Sequence, residues 1–598
     1  MFFQLVHKGA YQDVEAKRQE TLDASVARFH EIKGTTTKLP ASNSLQKSFT
    51  RYVTEMVALD GLPLSVTNGV GFKRLVEFLK PELTPPSPRT VSRKLEALAT
   101  KVALPHLNTE LSNAPSNSLH FIVDIWSSRV RQSVMGIRVQ YVKNWKLQLY
   151  TVSFRHIEGR HTGQNIRETF VAELRSRGVR EPQVGTVVCD NAANMTKAFN
   201  MTEHFGEEWL DRVPDEEGSE SEHSFQEPPE PVGEEITSIA SFHRVRCAAH
   251  TLQLAVNAAL RKDEGAKEIL ALINATVNVF RRSCYWTERL KVLCGKDLIP
   301  PAGTRWNSLV AALKRLTEID VFNSVMEVLK EYNESNPTRR ISVSQMEMNS
   351  GRFCEILALL RPLADATDRL QSDGVTSCDL HISISSCYAQ INNCRTSEFP
   401  DLKNTVLEEL NNRFEEVLYD DFFVASSVLH PRQKLRVFNA SVAPGLAKPT
   451  ANEATAAVER LLEAHVQGPA ATADKASSQQ AQCDVGQEGI GDARDPYALL
   501  DVVCPTAHHE QSELDRYLSS TSTADDVLAY WHKHGETFPR LAKLAVVCLG
   551  VPASSGAVER LFSTAGALQR ARRASLAPRT VEQLVLVSEH IRKGSSGK

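Results

Sequence analysis

LHFIVDIWSS, residues 119–128, is the stretch whose reading decides the fold class. It is rich in β-branched and aromatic residues, and the apolar period changes there from helical to strand-like. Two further runs of the same character follow, SVMGIRVQYV (133–142) and LQLYTVSF (147–154), each bounded by polar turns. GQNIRETFVAELRSRG (163–178) then returns to helical spacing, and QVGTVVCDNAANM (183–195) reads as a fourth strand that ends in a polar loop. Three meandering strands followed by a helix and a strand predict an α/β unit.

Upstream of this unit the pattern is helical. Residues 1–44 read as a polar, helix-prone leader, in which AYQDVEAKRQETLDASVARFHEI (10–32) places apolar residues three and four apart. Residues 45–112 predict three helices broken at GLPLS and before PSPRT, where Pro precedes a Ser/Thr-flanked start. Downstream, residues 211–236 are acidic, proline-rich and poor in large apolar side chains, which predicts an extended surface loop. From RVRCAAHTLQLAVNAAL (244–260) onward the spacing is helical for nearly two hundred residues. A segment at about 442–494, rich in Ala, Gln, Ser and Gly, reads as a linker, and helices resume to the end of the chain.

The 598 residues carry a formal net charge of -3, with 42% hydrophobic and 24% charged residues, ordinary values for a globular chain of several structural units. Such a balance does not advertise nucleic acid over the whole surface, so any DNA binding must rest on local basic patches or on cations that offset carboxylates. The eleven cysteines form no CxxC pair, which argues against a disulfide framework and a clustered zinc finger. With no signal-peptide core and no apolar run near ~20 residues, the expectation is a soluble, intracellular protein with no membrane partner.

Three acidic positions stand out. Asp124 lies inside an apolar strand, where a carboxylate is costly unless paired, hydrogen-bonded or metal-bound. Asp190 ends an apolar run, the place where α/β sheets present functional groups. Glu559 lies in SSGAVERLFSTAG (554–566), flanked by small residues that permit close backbone approach. Each has a plainer reading: a buried acceptor for Asp124, a turn residue for Asp190, an ion pair with Arg560 for Glu559. Spacing alone does not choose between the readings.

The C-terminal strings YWHKH (530–534), FPRLAKLA (538–545), VPASSGAVERLFSTAG (551–566) and SLAPRTVEQLVLV (575–587) resemble the dimerisation region of the hAT superfamily of DNA transposases. The rest follows in that family's order. FIVDIWSS is similar to its first catalytic strand, HTGQNIRETF and VVCDNAANM to the helix and strand before its second aspartate, CAAHTLQLAV to its CxxH helix, GTRWNSLVAAL to its RW segment and ASSVLHPRQKL to the region near the end of its insertion. The resemblance covers about residues 45–590 and is closest to BED-type, transposase-derived members.

That resemblance implies an α/β plus α architecture. An RNase H-like mixed sheet (113–262 and 531–592) is interrupted by an all-helical insertion at about 263–530 and preceded by a helical DNA-binding or dimerisation region at 45–112. It implies that Asp124, Asp190 and Glu559 are the catalytic acids and that they bind two Mg²⁺ or Mn²⁺ ions. It also implies DNA contacts at Cys247 and His250 of the CxxH motif and at Arg305 and Trp306. Arg570, Arg572, Arg573 and Arg579 follow the Glu559 helix and are candidate phosphate clamps, with a solvated helix face as the plainer reading. The implied setting is the nucleus, and the implied partners are DNA and further copies of the chain, packed through RTVEQLVLVSEHI and the residues around PASSGAVERLF. Internal core is the alternative use of those apolar residues.

No Cys precedes Cys189, so the N-terminal BED zinc finger of many family members is not expected within this sequence. Two functions remain open: a transposase that cuts and joins DNA, and a domesticated DNA-binding regulator without catalysis.

Overall fold

The computed structural model describes residues 37–127, 133–199, 242–301, 306–465, 512–521, 524–570 and 577–595. The expected leader over 1–36, the acidic loop at 211–236 and the linker beyond residue 465 lie outside these residues, as do Arg305, Arg572 and Arg573.

The described residues begin with four α-helices, α1 (Ser44–Leu59), α2 (Val70–Leu79), α3 (Pro88–Leu98) and α4 (Leu104–Ser112). The start of α3 has a local cause: the Ser87 side chain accepts from Thr90 N–H, and Pro88 fills the first turn. Strands β1 (Leu119–Ser127), β2 (Ser133–Lys143) and β3 (Lys146–His156) form an antiparallel meander. Its second turn, Asn144–Trp145, has φ of 50° and 55°, the both-positive pattern of a type I′ hairpin. Helix α5 (Gly163–Ser176), β4 (Val184–Cys189), α6 (Ala193–Phe199) and β5 (His243–Arg246) complete a five-stranded sheet of order β3-β2-β1-β4-β5. β4 pairs in parallel with both β1 and β5, so the sheet is mixed.

β5 departs from the expectation of continuous helix from Arg244. His243–Arg246 is a strand, and Cys247 caps the helix that follows. The run is short, with Val245 its one apolar residue, so its pairing with β4 outweighs the helical periodicity that begins only at Ala248.

Helices α7 (Ala248–Lys262), α8 (Glu264–Arg281), α9 (Cys284–Cys294), α10 (Asn307–Leu316), α11 (Ile319–Ser335), α12 (Val343–Met348), α13 (Ser350–Gln371), α14 (Asp379–Asn393), α15 (Pro400–Leu418), α16 (Asp421–Val428) and α17 (Ala451–His465) come next. α17 corrects the linker reading over 451–465. Ala454, Ala457, Val458, Leu461 and Leu462 are buried at helical intervals, so composition alone had hidden an amphipathic helix. The chain ends with α18 (Glu513–Ser519), α19 (Val527–His534), α20 (Pro539–Cys548), α21 (Gly556–Arg570) and α22 (Pro578–Ser595). Among the described residues no helix is long and apolar enough to cross a membrane.

Alternate residues of the sheet pack in opposite directions. Phe121, Val123, Val187 and Cys189 join Leu107, Ile166, Phe170 and Phe199 of α4–α6 on one face. On the other face Ile122, Val134 and Phe154 meet Val53, Val57, Val91 and Leu95 of α1 and α3 together with Val558, Phe562, Val581 and Leu584 of α21 and α22. The 45–112 helices therefore share a core with the sheet. The apolar residues expected to offer a packing surface to a second copy, including Val581, Leu584 and Val587, are internal core instead. An acid of α22 adds to this packing: Glu589 accepts from Thr151 N–H (2.8 Å) and pairs with Arg138 (2.6 Å), beside the bulge where β2 and β3 lose register.

Two buried histidines lock elements together, one between sheet and helix and one among helices. His120 on β1 donates from Nε2 to Val547 O (2.9 Å), leaving Nδ1 to accept from Thr186 Oγ1 (3.1 Å). His381 makes the same kind of pair with Leu418 O (2.8 Å) and Ser427 Oγ (2.9 Å). Desolvation is the main cause that pushes His120 down to about 3 and His381 to about 4. A depressed folded-state pKa means that the unfolded chain binds more protons in this range. The stability from each neutral imidazole is complete above the ordinary value near 6.5 and is lost as pH falls toward 4. Chemical denaturation of the full chain at pH 7, 6 and 5 is expected to show a falling stability, with up to roughly 1.4 kcal/mol per pH unit from each histidine. His120→Gln with His381→Gln should flatten that slope, whatever they do to the stability at pH 7.

Candidate active site

Asp124 and Asp190 meet because of strand register. β1 and β4 run parallel with Ile122 opposite Val188, and the same offset carried two residues on puts Asp124 level with Asp190. Both side chains share the parity of Ile122 and Val188, so both face the helices α7 and α21 rather than α5 and α6. β5 is parallel to β4 and ends at the same edge, with Cys189 opposite Arg246. Cys247 follows at once and starts α7, which brings His250 to the same place in the helix's first turn.

Glu559 arrives from the far end of the sequence. It sits in the first turn of α21, which packs on β1 and β2. The close approach depends on Gly136, the β2 partner of Asp124. A Cβ at Gly136 would meet Phe562 Cε1 at 2.8 Å and Val558 Cγ1 at 3.0 Å, so only glycine lets α21 lie this low over Asp124. Trp126 stacks on the same Phe562 ring, with centroids 5.9 Å apart and planes 21° apart.

Asp124, Asp190 and Glu559 thus line a single small cavity of about 100 Å³ together with His250, Trp306 and Gln371. Asp124 Oδ1 accepts from Ile125 N–H (2.8 Å) and Asp190 Oδ1 from Ala192 N–H (3.2 Å). Arg244 Nη2 donates to Asp190 O (2.8 Å), so it steadies the backbone of the second acid. Glu559 is held by Gln371 Nε2, 3.4 and 3.5 Å from its two oxygens, and by Ser555 Oγ at 3.3 Å. Arg560 turns the other way, to Asp373 at 2.6 Å, so the proposed Glu559–Arg560 pair gives way to one between Arg560 and the helical region.

The remaining candidates divide. His250 is half-buried and lines the cavity. Cys247 is fully buried, so it presents nothing to a DNA surface. Its Sγ accepts from Ser555 N–H and Oγ–H, both at 3.2 Å, and ties the start of α7 to the turn before Glu559. Burial is the main cause that raises that thiol above its ordinary value, helped by the nearby Glu559 charge and opposed by the hydrogen bonds from Ser555. Trp306 lines the cavity but is only 7% exposed, packed in the helical core. Arg579 lies away from the cavity, paired with Glu96 at 2.6 Å. Gly136, Gln371 and Ser555 were not legible as site residues, because each acts through a partner remote in sequence.

Three carboxylates in one cavity present the hard oxygen donors that divalent cations take. Among the described residues no three His, Cys, Asp or Glu groups converge on a single metal position. The set therefore suits ions that take one or two protein carboxylates each and fill the rest of their shell with water and phosphate oxygens.

Two segments carry family signatures. Residues 513–591 match the family model described as the hAT family C-terminal dimerisation region, and residues 122–210 match the ZBED1 RNase-like domain. The chain carries the hAT dimerisation region. Asp124 and Asp190 fall within the RNase-like match and Glu559 within the hAT match. Relatives align along most of this chain. Zinc finger BED domain-containing protein 4 of Homo sapiens is 24% identical over 591 residues, 92% of this chain and 44% of that protein. Putative transcriptional regulator tpeD of Talaromyces stipitatus is 23% identical, covering 90% of this chain and 61% of its own length. Putative AC transposase of Zea mays is 23% identical, covering 79% and 57%. The chain thus spans about half the length of the curated relatives it matches.

The Gly136 contact makes the site's assembly testable. Gly136→Ala in the full chain is expected to lower its stability by about 1–3 kcal/mol, the usual cost of overpacking a dense core, in urea denaturation. Retention of full stability would show that α21 can rise off β2 without loss.

Proposed function

We propose that the Asp124–Asp190–Glu559 cavity is a divalent-cation-dependent site for DNA cleavage and strand transfer, in an RNase H-like core whose last acid returns after a helical insertion at about 263–530. The observation that carries this reading is the convergence itself. Two parallel strand ends and one distant helix deliver three acids to one cavity, although Asp190 and Glu559 are separated by the whole helical region.

Asp124, Asp190 and Glu559 would hold Mg²⁺ or Mn²⁺. When bound, a pair of such ions stabilises the attacking and leaving oxygens of an in-line displacement at phosphorus. The chain's own residues set the stage for that chemistry. Register holds the two aspartates level, and Gln371 with Ser555 orients Glu559 toward them. His250, Gln253 and Asn307 add polar groups around the cavity that can receive phosphate or sugar. Trp306 has to swing out of its packed position to stack on an unpaired base, a contact worth roughly 1–3 kcal/mol where it forms. The C-terminal region makes a homodimer the expected assembly, and DNA as substrate makes the nucleus the expected compartment.

A second reading is favoured by the fungal relative, whose own description is that of a putative transcriptional regulator. In that reading the same fold binds DNA without cutting it. The full chain with supercoiled plasmid and Mn²⁺ separates the two. Nicking is expected, and Asp124→Asn, Asp190→Asn and Glu559→Gln should each slow it at least about a hundredfold, equal to ~2.7 kcal/mol of barrier. Calorimetric Mn²⁺ binding should weaken in the same three variants. Folded wild-type chain that binds DNA yet neither nicks it nor binds Mn²⁺ would leave the regulator.

A further inference from the structure

A second pocket opens on the face of the sheet that carries the acids. It measures about 260 Å³, walled by Ile122 and Leu149 from the strands and by Leu370 and Val375 from the helical region. Ile122 lies two residues before Asp124 on β1, and Gln371 lines both this pocket and the acid cavity. The two spaces are therefore neighbours that share one glutamine as a wall. Arg560 and its partner Asp373, 2.6 Å apart, also line the pocket, and Asp373 is largely exposed. That pair marks the mouth, at the corner that follows α13.

Gln140 is the residue of this pocket that packing leaves unfinished. It lies on β2 with the parity of Gly136 and Arg138, whose contacts are with α21, so it faces the same way. It lines the pocket and is only 5% exposed. Chemistry fixes the orientation of its amide. Nε2 donates to Gly550 O (3.1 Å), a carbonyl that can only accept, so the remaining amide atom is the oxygen. Among the described residues nothing donates to Gln140 Oε1. A buried acceptor is normally satisfied, by protein, by ordered water or by a ligand.

Size and lining say what suits it. A dry apolar cavity of roughly 150 Å³ takes one benzene ring, so this pocket has room for two fused rings. Apolar walls with a few placed polar groups are the usual make-up of a small-molecule site. The open atom is an acceptor, so the guest has to bring an N–H or O–H. Arg560 and Asp373 neutralise each other at the mouth, so the guest needs no charge.

We propose that this pocket binds small, uncharged, mainly apolar molecules of one or two rings, held by an N–H or O–H donor on Gln140 Oε1. A guest there rests against Gln371 and borders on the acids without entering their cavity. The site stands whether or not those acids cut DNA.

Indole and 1-methylindole are the probes, since they share two rings and differ in the N–H. Each is titrated into the full chain carrying ¹³C-labelled Ile and Leu methyl groups. Indole is expected to shift the signals of Ile122, Leu149 and Leu370 saturably. 1-Methylindole should bind at least about fivefold more weakly, the scale of one hydrogen bond lost at a buried acceptor. Gln140→Leu should bring the two probes level, and Val375→Phe, which fills the pocket from its half-buried rim, should weaken both. The wild-type probe pair and Val375→Phe decide the matter even where loss of the Gly550 bond unfolds Gln140→Leu. Equal binding of the two probes by the wild-type chain would overturn the proposal. So would indole shifts confined to other methyl groups, the absence of any saturable shift, or binding that Val375→Phe leaves unchanged; water alone would then occupy the pocket.

Discussion

Parallel pairing of β1 with β4, with Ile122 opposite Val188, is the constraint on which the site depends. In a parallel pair both strands end at the same edge, so a carboxylate late in one and a carboxylate just past the other become neighbours without any loop to place them. β5 extends the rule: it too runs parallel, and the helix it feeds starts at the same edge. A one-residue slip would turn Asp124 toward Phe170 and the α5 face, so the packing of Phe121 and Val123 against α5 enforces the register that the acids need. Core hydrophobics and site carboxylates alternate along a single strand, and the burial of the first fixes the direction of the second.

The third acid relies on a different device. Nothing in strand geometry brings Glu559 to the sheet; a helix must lie close enough for its first turn to reach over the edge. Glycine at 136 supplies the clearance, and Phe562, wedged among Trp126, Phe154 and the open space above Gly136, supplies the attraction. The helix thus binds through aromatic contact where the strand has given up its side chain, directly opposite Asp124.

These two devices explain what the sequence disclosed. β1 to β4 were legible because their apolar runs are long and bounded by turn residues. β5 was not, since four residues with two arginines carry no strand signal until β4 is beside them. α17 was hidden by composition, although its Ala454, Val458 and Leu461 spacing was present in the letters. Asp124, Asp190 and Glu559 were singled out from strand context, small flanking residues and family resemblance, never from mutual spacing, because their neighbourhood exists only in the folded chain. Gly136 and Gln371 were invisible for the same reason: clearance for a helix, or a donor for a distant carboxylate, has no local pattern. Val581, Leu584 and Val587 of α22 pack inside the chain: apolar spacing tells that a face is buried, and not whether the partner is a second chain or the chain's own sheet.

The helical region is more than a spacer between two halves of a sheet. Its α13 ends in a corner that grips the approach to Glu559 at several points. Ser554 Oγ donates to Leu370 O at 2.7 Å, Arg560 pairs with Asp373 at 2.6 Å and also donates to Gln371 O, and Gln371 reaches Glu559 itself. Gly556 is part of the same fit, since a Cβ there would come within 3.2 Å of Gln371. Opposite this corner, Cys247 holds Ser555 from the sheet side. Glu559 is therefore suspended between the sheet and the helical region, with its backbone fixed by one and its carboxylate oriented by the other. Asp124 and Asp190 are placed by strand register, with Arg244 steadying the backbone of Asp190. A shift of α13 by even a fraction of a helical turn would move one acid of the three and leave the other two in place, so the geometry of the cavity is set by how the helical region docks.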